Sequence, residues 1–158
     1  MHKWLVLSAV IVVLDQVTKY AAVKYLAGQT IEVTSFFNLV LAYNTGAAFS
    51  ILADAAGWQR GLFIGIALIA AAWIVYLLRK YPHQRLFALA LSLVLAGAIG
   101  NVIDRILIGA VVDFLDFHAF GRHWPAFNVA DSAISCGAVL LVWDALRPAQ
   151  SRNLGAKI

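Results

Sequence analysis

From Gly61 to Leu78 the chain runs 18 residues without a charge or a strongly polar side chain. About 20 such residues, coiled as a helix, match the hydrocarbon thickness of a bilayer. Three more stretches, about 4–26, 86–107 and 129–146, are nearly as long but carry isolated charges. The whole chain has 158 residues, 63% apolar and 13% charged, where a soluble domain averages roughly 45–50% and about 25%. The mean hydropathy of +0.84 agrees. The expected fold is an all-α membrane protein, one four-span domain over 1–158 with little room for anything else. The beginning imitates a signal peptide, with Lys3 before an apolar run to Leu14. Asp15-Gln16 stands where a small-x-small cleavage site belongs, so the first helix is expected to be retained.

The position of the basic residues then fixes orientation. The 79–85 link reads Arg-Lys-Tyr-Pro-His-Gln-Arg, and the tail adds Arg147, Arg152 and Lys157, whereas segments 27–57 and 109–127 hold only Arg122. Both termini are therefore expected in the cytoplasm, with the two longer connections outside. The first of these, with Ile31-Glu32-Val33-Thr34 and Phe36 to Leu41 before a turn-like Asn44-Thr45-Gly46, reads as two short strands over the membrane. The basic residues are topology signals, not a nucleic-acid surface, and the single cysteine, Cys136, leaves no internal disulfide.

Charges inside hydrocarbon cost about 2.5–3.5 kcal/mol each on insertion scales, so each needs a reason. Asp15 and Lys19, four residues apart, share a helix face and can neutralise each other. Asp104 and Arg105 are adjacent, so each must find a partner elsewhere, the outer loops being one source. Asn101, one turn before Asp104, is placed to orient its carboxylate. Asp113, in Val111-Val112-Asp113-Phe114, and Asp131, in Phe127-Asn128-Val129-Ala130-Asp131, fall at the outer ends of spans three and four. Two carboxylates brought close cannot both ionise; the ionised one can activate water while the protonated one polarises a carbonyl. That is aspartic-peptidase chemistry. The plainer alternative has Asp113 capping a short helix and Asp131 opening span four. His118 and His123 with Asp113 and Asp116 match no standard metal spacing, so no metal is expected, and no Gly-x-Ser-x-Gly or glycine-rich phosphate loop occurs. A small proton-coupled transporter or channel subunit is the competing reading, but a relay would spread its acids through the membrane depth and span two has none. A purely structural subunit would not need these polar motifs.

Taken together, Leu14-Asp15-Gln16-Val17-Thr18-Lys19, Asn44 to Ser50, Gly100-Asn101-Val102-Ile103-Asp104-Arg105, Val112-Asp113-Phe114 and Phe127 to Asp131 resemble, in order and over nearly the full chain, the lipoprotein signal peptidase family, also called signal peptidase II. The resemblance implies a four-span bacterial cell-membrane aspartic endopeptidase with a small extracytoplasmic β-sheet and a short extracytoplasmic helix or loop. Its implied catalytic dyad is Asp113 and Asp131, with no cofactor. Asp15, Lys19, Asn44, Gly46, Asn101, Asp104, Arg105 and Asn128 take supporting or substrate-contacting roles. The implied substrate is a prolipoprotein bearing diacylglycerol on its lipobox cysteine and cut just before it, on the extracytoplasmic side. Membrane lipid is the other partner, a monomer is expected, and the stretch after the strand-forming outer segment resembles the family's lid.

Overall fold

A computed structural model describes residues 1–46 and 57–147. Ala47 to Ser50 and the lid-like stretch expected after them lie outside these, as does the tail from 148. Four helices carry most of the chain: α1 (His2–Tyr25), α2 (Trp58–Lys80), α3 (Arg85–Leu107) and α4 (Val129–Leu146). All four are long and apolar enough to cross a membrane. α2 starts ahead of its apolar run, with Trp58 exposed at its first turn, as suits an aromatic ring at a headgroup boundary.

α3 is the central helix. It packs on all three others, and 56% of its most apolar window is buried, against 17–22% for the rest. The other helices turn long apolar rows outward, Val6, Val10, Val13 and Val17 on α1 and Ile66, Ile69 and Trp73 on α2, which is the surface that lipid would cover. Without a hydrophobic drive between helices in lipid, close backbone approach supplies the association. Along α3 and α4 it is bought with small residues. Gly97 lies against the Ala130 carbonyl and the Ile134 side chain, and Gly137 against Val94 and the Ala90 carbonyl. A methyl at Gly97 would meet backbone that cannot swing away. Gly97→Ala is therefore expected to lower stability by about 1–3 kcal/mol, read as a lower melting temperature in detergent.

Between the helices the chain builds one antiparallel sheet in the order β1 (Ile31–Thr34), β2 (Phe37–Asn44), β3 (Val111–Ala119), β4 (Arg122–His123). β1 and β2 form where β-branched and aromatic residues concentrate. β3 corrects the sequence reading, which left 109–127 as a connection and offered Asp113 as a helix cap. Asp113 is the third residue of this strand, paired with Ala42 of β2. The reason is that Val111, Val112, Asp113 and Phe114 are all buried, so the segment lacks the alternation that betrays a half-exposed strand. Ala22 and Leu26 at the end of α1 pack beneath it against Val112 and Phe114.

Phe127 ties sheet to bundle. Its carbonyl accepts from the backbone of Phe114 at 3.0 Å and Leu115 at 2.9 Å, and its own N–H donates to the Leu115 carbonyl. α4 therefore begins two residues after a point fixed against β3, and the side chains at 113 and 131 are brought to one place.

Candidate active site

Asn128 stands between the two aspartates. It is fully buried at the N-cap of α4, where its side-chain oxygen accepts from the Asp131 N–H at 2.9 Å while the Asp131 carboxylate accepts from the Asn128 N–H at 3.3 Å. This reciprocal capping box satisfies two orphan donors of the helix start. The Asn128 amide also donates to Asp113 Oδ1 at 2.8 Å and to the Val112 carbonyl at 3.1 Å. One side chain thus holds the start of β3, the start of α4 and both carboxylates. The plainer alternative for Asp131, that it opens span four, holds as well: it is the N3 residue of α4, and the capping box orients its carboxylate.

Asp131 receives a second hydrogen bond, 2.8 Å, from the Asn101 amide on α3. Here Asn101 departs from the expectation that it would orient Asp104. Its oxygen accepts from Lys19 Nζ at 3.0 Å, so the amide is spent between the cation and Asp131. Equal helical spacing puts two residues on one face without deciding which partner each finds.

Behind this layer lies an ionic core. Lys19 Nζ is 2.9 Å from Asp15 Oδ2 and 2.9 Å from Asp104 Oδ2, all three side chains being nearly inaccessible. Each carboxylate also grips a backbone N–H: Asp15 that of Ala130 at 2.9 Å, Asp104 that of Val112 at 3.1 Å. Ala130 and Val112 are the residues immediately before Asp131 and Asp113. Gly100 makes room, since a Cβ there would lie 2.5 Å from Asp15 Oδ2. Arg105 does find its partner in the connection between α1 and α2, donating to the Gly46 carbonyl at 2.8 Å, and its guanidinium lies 5.2 Å from the centroid of Phe63 on α2. The Gly46 N–H in turn donates to the Asn44 side chain at 3.0 Å, closing the turn after β2. Sequence reading missed Phe63 and Gln16, whose only signals were a ring at the start of an apolar span and a glutamine beside a charged residue.

Asp113 and Asp131 line the same cavity of about 870 Å³ between α2, α3, α4 and the sheet, together with Asn44, Asn101 and Arg105. Burial, and then the charge of Asp131, push the Asp113 carboxyl up to about 7, against hydrogen bonds from Asn44 and Asn128 and the charge of Lys19. A group so poised exchanges its proton near neutral pH, which is the requirement for acid–base work. The histidines lie elsewhere: His123 Nδ1 is 2.9 Å from Asp116 beyond the cavity, stacked on His118. Among the described residues no three His, Cys, Asp or Glu side chains gather as a metal site.

Residues 7–147 match the family described as Signal peptidase (SPase) II. A lipoprotein signal peptidase of Janthinobacterium sp. (strain Marseille) is 58% identical over 148 residues, 93% of this chain and 90% of that one. One of Ralstonia nicotianae is 59% identical over 145 residues, 91% and 84% of the two chains. A solved structure described as a bacterial membrane enzyme, obtained by the in meso method at 1.9 Å resolution, superposes with a TM-score of 0.82 at 35% identity, over 94% of this chain and 96% of its own. The match runs from within α1 to the end of α4, and on it the chain belongs to the signal peptidase II family.

Proposed function

We propose that this chain is a membrane aspartic endopeptidase that removes the signal peptide from diacylglyceryl-modified prolipoproteins, with Asp113 and Asp131 as its catalytic dyad. The observation that carries the dyad is the meeting of two carboxylates from separate elements on one cavity wall, one of them held near neutrality. The dyad shares one proton, carried by Asp113. Asp131 takes a proton from the water between them as its oxygen attacks the scissile carbonyl, and Asp113 gives its proton to the carbonyl oxygen. As the resulting diol collapses, Asp131 returns its proton to the leaving nitrogen of the lipidated cysteine and Asp113 recovers one from the diol. The dyad ends as it began, without a cofactor.

The supporting set divides by contact. Asn101 and Asn128 orient the dyad, and Asp15, Lys19 and Asp104 hold the backbone behind it. Arg105, Asn44 and Gly46 shape the rim, where the buried Arg105 Nε has no hydrogen-bond partner among the described residues and offers a donor to a substrate carbonyl. Phe63, Ile66 and Ile134 give the cavity an apolar wall fitted to a signal peptide entering from the bilayer. The basic 79–85 link supports cytoplasmic termini and an extracytoplasmic active site and sheet. A lipid-anchored substrate then diffuses in the plane that contains the dyad.

The elevated Asp113 fixes the sign of the pH dependence. Above about 7 the proton is lost and each further pH unit removes about tenfold of the competent, singly protonated dyad. A pH profile of kcat/KM with a lipid-modified substrate is expected to fall on an alkaline limb centred near that value. A flat profile through the alkaline range would count against the assignment.

A further inference from the structure

The two carboxylates that grip the backbone before Asp113 and Asp131 are joined twice, once by Lys19 and once by Gln16. The Gln16 amide nitrogen donates to Asp104 Oδ1 at 2.9 Å, to Asp15 Oδ2 at 3.2 Å and to the Gly100 carbonyl at 3.3 Å. Every one of these partners is an acceptor, so only the NH2 end of the carboxamide can point there. The bond to Asp104 Oδ1 complements the other oxygen of that carboxylate, Oδ2, which takes Lys19 and the Val112 N–H. We infer that Gln16 is a positioning residue for the reaction: its amide locks the rotation of the Asp104 and Asp15 carboxylates, and through the Val112 and Ala130 N–H groups sets the approach of Asp113 to Asp131.

The inference rests on the dyad reading above. Its physics is that of charge-assisted hydrogen bonds in a dry site. A carboxylate with both oxygens engaged has one orientation. With Oδ1 released, Asp104 turns about its own bond, Oδ2 leaves the Val112 N–H, and the strand end carrying Asp113 loses its anchor. Gln16 is only half-buried, so it adds little packing of its own. Its donors are the part that matters.

Two variants separate positioning from packing, in full-length enzyme in detergent or lipid with a diacylglyceryl-modified prolipoprotein. Gln16→Met keeps the shape and removes the donors. It is expected to lower kcat by about tenfold to a hundredfold at every pH with KM within about twofold, because a displacement under about 1 Å is enough. Gln16→Glu puts a third carboxylate among Asp15 and Asp104, with Lys19 the cation beside them. Its deficit at about pH 8 is deeper, and its rate relative to wild type climbs by at least about tenfold towards pH 5.5, as the introduced carboxyl gains a proton and donates again. A packing role would lower the melting temperature and leave that ratio flat. The inference is overturned if Gln16→Met turns over within about threefold of wild type or if the Gln16→Glu ratio does not change with pH. Should Gln16→Met not fold, the ratio decides alone. Asp113→Asn is run beside them: full cleavage by that variant would sink the dyad instead, whereas an inactive Asp113→Asn with indifferent Gln16 variants would sink only the role of Gln16.

Discussion

Asp113→Asn and Asp131→Asn, made separately, are each expected to abolish cleavage of a lipid-modified prolipoprotein, by about 10³–10⁴-fold, while both proteins remain folded. The amide is nearly isosteric. At 113 it still accepts from Asn128, and no buried charge is left unpaired, so the melting temperature should hold or rise. At 131 an amide oxygen can keep one of the two bonds, from Asn101 or from the Asn128 backbone, that the carboxylate accepts on separate oxygens. The chemistry fails for opposite reasons. Without a carboxylate at 131 nothing takes the proton of water, and without one at 113 nothing gives a proton to the carbonyl oxygen. The double variant should be no worse than either single one, because groups acting as a unit do not add. Either variant cleaving at a rate close to wild type, in membranes or detergent, refutes the mechanism.

A second large effect is expected at Lys19, this time on stability. Lys19→Met leaves Asp15 and Asp104 buried without the cation between them, and breaking a buried pair by removing one partner costs about 3–5 kcal/mol. For a chain of this size that is a drop of roughly 10 °C or more in melting temperature in detergent. Folded yield should fall with it. Adding Asp15→Asn to Lys19→Met removes one of the stranded charges and should recover part of the loss. A double variant no more stable than Lys19→Met would mean that Asp15 is not charged in the folded protein. Cleavage should not recover with stability, since the anchors on Val112 and Ala130 are no longer drawn together.

What the sequence disclosed follows the range of the forces concerned. The helices were legible because a bilayer demands some 20 apolar residues in succession, a local property. The Asp15–Lys19 contact was legible because four residues make one helical turn. β3 was not, since a strand buried on both faces shows no alternation, and its pairing with β2 spans some 70 residues of chain. Asp113 and Asp131 were visible as candidates, but their convergence depends on the Phe127 backbone, which carries no side-chain signature. Asn101 had its face read correctly and its partner wrongly, because Lys19 had already claimed Asp104. Gln16 was passed over because an uncharged amide on an apolar helix announces nothing until the carboxylates of another helix are set beside it.

The capping box at Asn128 makes the last helix and the reactive centre a single event of assembly. Until α4 has started winding from Asn128, Asp131 has no fixed direction and Asp113 has lost its amide neighbour. A chain emerging into the membrane from its N-terminus would therefore be a silent precursor of itself through three helices, and would become a protease only when the fourth was seated. Proteolytic competence would then report that insertion is complete, and a half-inserted copy would pose no hazard to the membrane around it.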